Sequence, residues 1–309
     1  VHVVFGSIFS QVLPLFLLIL IGWTVWRAGL FSDGATTVLS RFLVNVALPA
    51  LVIDSMQIPF DPALAREGAA LALAAGAYYV GIFAFALVFP RLVRAPRDEV
   101  PVLTFLVIFA NTGFMGYPVV DSIWGERGVF LAAIYNLFFS VLLFTVGILV
   151  LTGSKEGWRT TSPRVLLSPG IVSVAVGLAL FFFSIEVPPL LGGPIALLGD
   201  LTTPLSMTVI GALLARLDPR ALFGNARVYV YSIVRLLLVP LATLVAFRPF
   251  VADPLVLGVL VVLAGMPGAT NAALFAEEYG VNPELASQAV FISTLFCLVT
   301  IPWIGGLVA

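Results

Sequence analysis

Apolar residues in this chain come in runs of roughly 20 or more that do not alternate with period two, which predicts helices long enough to cross a bilayer. Ten such runs fall at about 5–29, 34–57, 64–90, 99–123, 128–152, 168–186, 190–215, 226–247, 254–278 and 284–306. The ninth and tenth are joined only by Tyr279-Gly280-Val281-Asn282-Pro283. Two runs are interrupted in the middle, the fourth by Asn111-Thr112-Gly113-Phe114-Met115-Gly116-Tyr117-Pro118 and the ninth by Met266-Pro267-Gly268-Ala269-Thr270-Asn271. Each interruption sets helix breakers beside an asparagine, at a depth where lipid offers no hydrogen bonds. Backbone that unwinds there must line a protein cavity. Two such breaks, one in each half, point to a transporter's binding site.

Composition agrees with the pattern. The 309 residues are 61% hydrophobic and 10% charged, and the mean hydropathy is +1.14. A soluble domain does not need that much apolar surface, so an all-α polytopic membrane protein is expected. A net charge of -1 argues against a nucleic-acid partner. Cys297 and His2 are the single cysteine and histidine, which leaves no internal disulfide, no zinc site and no histidine-based catalysis. The first run has neither a basic leader nor a small-residue cleavage site, and is read as a retained helix.

The basic residues set an orientation. Connections after odd-numbered runs hold Arg27; Arg91, Arg94 and Arg97; Lys155, Arg159 and Arg164; and Arg216, Arg220 and Arg227. Connections after even-numbered runs hold only Arg66, Arg127 and Arg248. Positive residues stay cytoplasmic, so both termini are expected outside, and the loop 153–167 in the cytoplasm, of a multi-pass inner-membrane protein.

Five runs per half would start the second half on the opposite side, the condition for a 5+5 inverted repeat. A fixed shift of 155 superimposes Pro14 on Pro169, Gly22 on Gly177, Asn45 and Pro49 on Asp200 and Pro204, and the first break on the second. In the breaks, Pro118 and Pro267 cannot donate, while Gly113, Gly116 and Gly268 permit turns closed to other residues. Helices 4 and 9 should then split into crossing half-helices. The second half of each presents free N–H groups carrying roughly +0.5 charge. Two such ends facing one cavity suit an anion, most simply a carboxylate. Asn111 and Asn271 add neutral donors and acceptors; Thr112, Thr270 and Tyr117 rank second.

The run from Phe109 to Pro118 resembles the broken fourth helix of the auxin efflux carrier family. Met266 to Asn271, followed by Glu278-Tyr279-Gly280 and Ser293-Thr294-Leu295, resembles its ninth and tenth. Leu48-Pro49-Ala50-Leu51 and Thr203-Pro204-Leu205-Ser206 are similar to its second and seventh. The resemblance covers essentially the whole chain, as a compact bacterial member, and implies a fold like that of plant PIN carriers and bile-acid sodium symporters. It implies a scaffold of helices 1, 2, 6 and 7 (here 1–60 and 168–222) and a mobile core of helices 3–5 and 8–10 (61–152 and 223–309). It further implies homodimers through the scaffold and elevator-type export or exchange of organic anions, with malate and malonate associated with bacterial relatives. On that pattern the substrate-binding set is Asn45, Asn111, Thr112, Gly113, Tyr117, Pro118, Pro267, Gly268, Thr270 and Asn271. The third helix, from about Gly68 to Pro90, carries no ionisable group besides its tyrosines, and neither break carries an acid. No cofactor is expected, and coupling to H+ or Na+ stays open.

Among the charged residues, Arg41, Asp54, Asp121, Asp200, Arg235, Glu277 and Glu278 fall in or near the runs. Asp54, Asp121, Glu277 and Glu278 lie near run ends, within reach of interfacial water. Arg235 is deep, and its options are a carboxylate partner, the free carbonyls of a half-helix, or the anion itself. Asp200 is expected to be deep as well, suited to a cation or proton. With Asp121, these two form a set for charge or coupling. The trailing alternatives are a membrane-embedded receptor using the same pocket, an intramembrane enzyme, for which no nucleophile arrangement is visible, and a channel.

Overall fold

The computed structural model describes residues 2–153, 167–216 and 224–308. The loop expected at 153–167 lies almost wholly outside the described residues, as do the side chains of Glu277 and Glu278. Every named element among the described residues is helical. The first is α1 (His2–Arg27). Next, α2 (Asp33–Phe42) runs through a π turn into α3 (Leu48–Ser55). Then come α4 (Pro62–Leu92), α5 (Val100–Ile108), α6 (Tyr117–Leu142) and α7 (Ile148–Thr152). The second half holds α8 (Pro169–Phe182), α9 (Pro189–Asp200) and α10 (Thr202–Ala215). It continues with α11 (Ala226–Ile233), α12 (Val239–Phe247), α13 (Pro254–Ala264), α14 (Asn271–Glu278) and α15 (Pro283–Val308). Six helical stretches are long and apolar enough to cross a bilayer, among them Pro62–Leu92, Ala226–Phe247 and Pro283–Val308, and shorter apolar helices accompany them. The chain is a multi-pass membrane protein.

Gly125 (φ 61, ψ -152) divides α6 into two helices. That backbone conformation is open essentially to glycine alone, so the fourth and fifth runs turn on a single residue. Three π turns precede prolines: Leu43–Ala47 before Pro49, Thr112–Gly116 before Pro118, and Val234–Leu238 before Pro240. A helical proline lacks an N–H and crowds the carbonyl four residues back; widening the preceding turn relieves both. Plain helix was expected through the first and third of these.

Glycine lets the membrane helices close on one another. A Cβ at Gly22 of α1 would enter the Thr208 carbonyl of α10, and one at Gly211 of α10 would enter the Ile19 carbonyl of α1. Along α3 pack α8 and α9. The half-helices α5 and α13 are apolar all round, and both are buried, from Val102 to Ile108 and from Gly258 to Ala264.

Candidate functional site

At the end of α5 the chain leaves the helix at Phe109, and Asn111 adopts φ -78, ψ 63. Thr112 N–H donates to the Ala110 carbonyl at 2.9 Å, closing an inverse γ-turn centred on Asn111. The ninth run breaks at Gly265–Thr270, between α13 and α14. The two breaks touch. Asn111 N–H donates to the Pro267 carbonyl at 2.8 Å, and Ala269 N–H donates to the Phe109 carbonyl at 3.2 Å. Ala110 and Gly268 thus form an isolated antiparallel bridge. A fixed shift of 155 sets Ala110 on Gly265, three residues before Gly268, because α13 ends one residue later than that shift gives and the break runs two residues longer before the bridge.

Buried backbone groups need partners, and neighbouring helices supply the rest. Gly268 N–H donates to Ser293 Oγ of α15 at 3.1 Å. Tyr231 Oη donates to the Leu106 carbonyl at 3.2 Å. Arg235 Nη1 donates to the Val107 carbonyl at 2.8 Å, and its Nε to the Met266 carbonyl at 3.1 Å. Tyr231 and Arg235, four apart, share one helix face. Arg235 is 1% exposed, so of its three options the structure selects the free carbonyls. Asn136 of α6 accepts from Thr112 Oγ1 at 2.7 Å and donates to the Ala132 carbonyl at 2.9 Å.

Beside this crossing lies a cavity of about 290 Å³, near the lower end of small-ligand sites. Asn45, Asn111, Gly113, Tyr117, Thr270 and Asn271 line it. A Cβ at Gly113 would meet nothing within 4 Å. Of the other expected site residues, Thr112, Pro118, Pro267 and Gly268 are buried behind the wall, where they shape the breaks. Asp200 and Arg235 lie off the cavity, as does Asp121. Asp200 is the exposed last residue of α9, within the apolar stretch Pro189–Ala215.

Sequence reading missed four contributors. Asn136 lines the cavity; an asparagine in an apolar run was the signal. Ser140 and Ser173 add hydroxyls, and Ser168-Pro169-Gly170 brings the start of α8 to the wall, so a third helix N-terminus joins the two from the breaks. Among the described residues, none that lines the cavity bears a formal charge. Helix N-termini carry partial positive charge and unpaired N–H groups. Asn111 Nδ2 is buried with no partner, although such donors are normally satisfied. The arrangement offers donors and positive potential to an acceptor-rich guest.

A family model described as "Membrane transport protein" matches residues 7–165 and 158–304. The chain is 29% identical over 307 residues to a protein of Rhizobium meliloti described as "Putative malonate transporter", covering 96% of this chain and 94% of that one. It is 26% identical over 300 residues to an "Uncharacterized transporter" of Methanothermobacter thermautotrophicus, covering 95% and 96%. It is 30% identical over 142 residues to "Auxin efflux carrier component 1" of Arabidopsis thaliana, covering 46% of this chain and 23% of that one. These relatives are transporters, not enzymes. The chain belongs to the membrane transport protein family that includes the auxin efflux carriers, as a compact member.

Proposed function

We propose that this protein is a secondary carrier of small organic anions, carboxylates of the malonate or malate class or auxin-like acids, and that it works by elevator-type alternating access. One observation carries the reading: two bridged helix breaks share a cavity wall with a buried, unpartnered amide nitrogen, Asn111 Nδ2. Donors and positive helix ends, with no charged side chain among the described lining residues, favour a carboxylate while leaving it free to depart. The name of the Rhizobium meliloti relative points to the same class.

The binding set is Asn45, Asn111, Gly113, Tyr117, Thr270 and Asn271, joined by Asn136 and the start of α8. Helices α1–α3 and α8–α10 form the scaffold; α4–α7 and α11–α15 form the moving core. The tight α1–α10 and α3–α9 packing supports that division. Ser168 and Pro169 follow directly on the loop 153–167, so the cavity stands on that loop's side. With the loop cytoplasmic and both termini outside an inner membrane, the cavity receives cargo from the cytoplasm, which favours export. Dimerisation through the scaffold completes the reading.

The test is efflux of labelled malonate, malate and indole-3-acetate from proteoliposomes, with Asn111→Ala and Asn271→Ala beside the wild type. Efflux of at least one acid, lost in both variants, is expected. Full efflux in both variants would remove the site.

A further inference from the structure

The far side of the crossing is built for the opposite charge. A helix C-terminus carries partial negative charge on its unpaired carbonyls. The C-terminal ends of α5 and α13 meet there, and one guanidinium binds carbonyls from both: Val107 at 2.8 Å and Met266 at 3.1 Å. A third bond runs from Arg235 Nη1 to Tyr78 Oη at 3.3 Å. Arg235 is the largest fully buried side chain in the protein's described core, and among the described residues its hydrogen-bond partners are two carbonyls and a phenol. Among the described residues it is therefore not held as half of an ion pair. A guanidinium stays protonated in protein interiors, so its charge is present throughout any cycle.

We propose that Arg235 is a resident counter-cation. It neutralises the two carbonyl ends of the crossing permanently and locks the breaks in register, so no co-bound metal cation is needed at that position for the opposite face to receive an anion. Arg235 is a positioning residue: it acts through Val107 and Met266 and lies off the cavity. Its bearing on transport rests on the carboxylate-carrier reading above; the charge test does not. The planar fork matters as well, since Nε and Nη1 reach different helices, which a lysine does less well.

Three measurements test this on the full-length protein. Arg235→Lys should melt several degrees above the neutral Arg235→Met, because it restores charge; equal melting of the two would overturn the proposal. Millimolar guanidinium should raise the melting temperature of Arg235→Ala by roughly 2–4 °C and leave the wild type and choline controls unchanged. No rise, or the same rise in the wild type, would overturn it. Should Arg235→Ala fail to fold, the lysine and methionine pair still decides. Finally, malonate efflux by the wild type should be unchanged when choline replaces sodium; a loss on replacement would overturn the cation-independence. Absence of any carboxylate transport would strike the carrier reading instead, and the two melting comparisons would still judge the charge.

Discussion

Asn136 and Thr112 form the joint that aims the second half of the broken fourth helix. Thr112 Oγ1 donates to Asn136 Oδ1 at 2.7 Å, and Asn136 Nδ2 lies 3.4 Å from the Thr112 carbonyl. Both are buried, Thr112 at 0% and Asn136 at 6% exposure. Asn136→Leu strands the Thr112 hydroxyl, and Thr112→Val strands the Asn136 oxygen. A buried group left unsatisfied costs about 1–3 kcal/mol, whereas interhelical hydrogen bonds in membrane proteins average about 0.6 kcal/mol. If each substitution costs about 1.4 kcal/mol at the site, KM for the transported acid rises about tenfold. The shared bond gives a coupling of about 1 kcal/mol. The double variant should then sit about twentyfold above the wild type, not a hundredfold. The assay is initial-rate transport in proteoliposomes across all four proteins, with melting temperatures recorded alongside. Strict multiplication of the two single effects would show that the residues do not act together, and the joint would have to be abandoned.

Other substitutions probe the remaining supports. Asn111→Ala should leave the melting temperature nearly unchanged, since Nδ2 has no protein partner, while weakening carboxylate binding about tenfold or more, as expected for a hydrogen bond to a charged group. Gly268→Val should lower stability by about 1–3 kcal/mol, because its Cβ would come within 2.8 Å of Tyr231 Oη and 3.0 Å of Leu106 Cδ2; a thermal melt checks it. Gly211→Leu should separate α1 from α10 and abolish monodisperse elution on size exclusion, since even a Cβ there enters the α1 backbone. Glu99→Gln should destabilise by about 1 kcal/mol, by weakening contacts to Arg227 at 3.2 Å and to Asn225 at 3.0 Å, and high salt should narrow the difference between the two melts.

What the sequence disclosed about this site depended on whether a residue's role was local. Proline, glycine and asparagine inside apolar runs break helices wherever they occur, so both interruptions were readable, and Asn111, Gly113, Thr270 and Asn271 stand on the cavity wall. The pairing of Ala110 with Gly268 was not readable, because it depends on where α13 ends and on how many residues each break spends before the bridge. The same uniform shift set Asp200 on Asn45, yet Asn45 lines the cavity and Asp200, the exposed last residue of α9, does not. Asn136 sits in unbroken helix, where an asparagine reads as ordinary interhelical glue; only its contact with Thr112 shows what it positions. Arg235 announced itself as a buried charge, but its partners lie 157, 128 and 31 residues away, and no local pattern encodes them. The π turns before Pro49 and Pro240 follow from a steric conflict that the sequence does state, though a helix can also resolve such a conflict by kinking.

The central claim is that two tied helix breaks present their positive ends and the Asn111 amide to a carboxylate in one cavity. Isothermal titration of purified protein with small mono- and dicarboxylates tests it most directly, run on the wild type, Asn111→Ala and Asn271→Ala. The account predicts that at least one acid binds the wild type and that each variant binds it at least about tenfold more weakly, with melting temperatures preserved. Equal affinity in all three proteins, or no carboxylate bound by any of them, would contradict it.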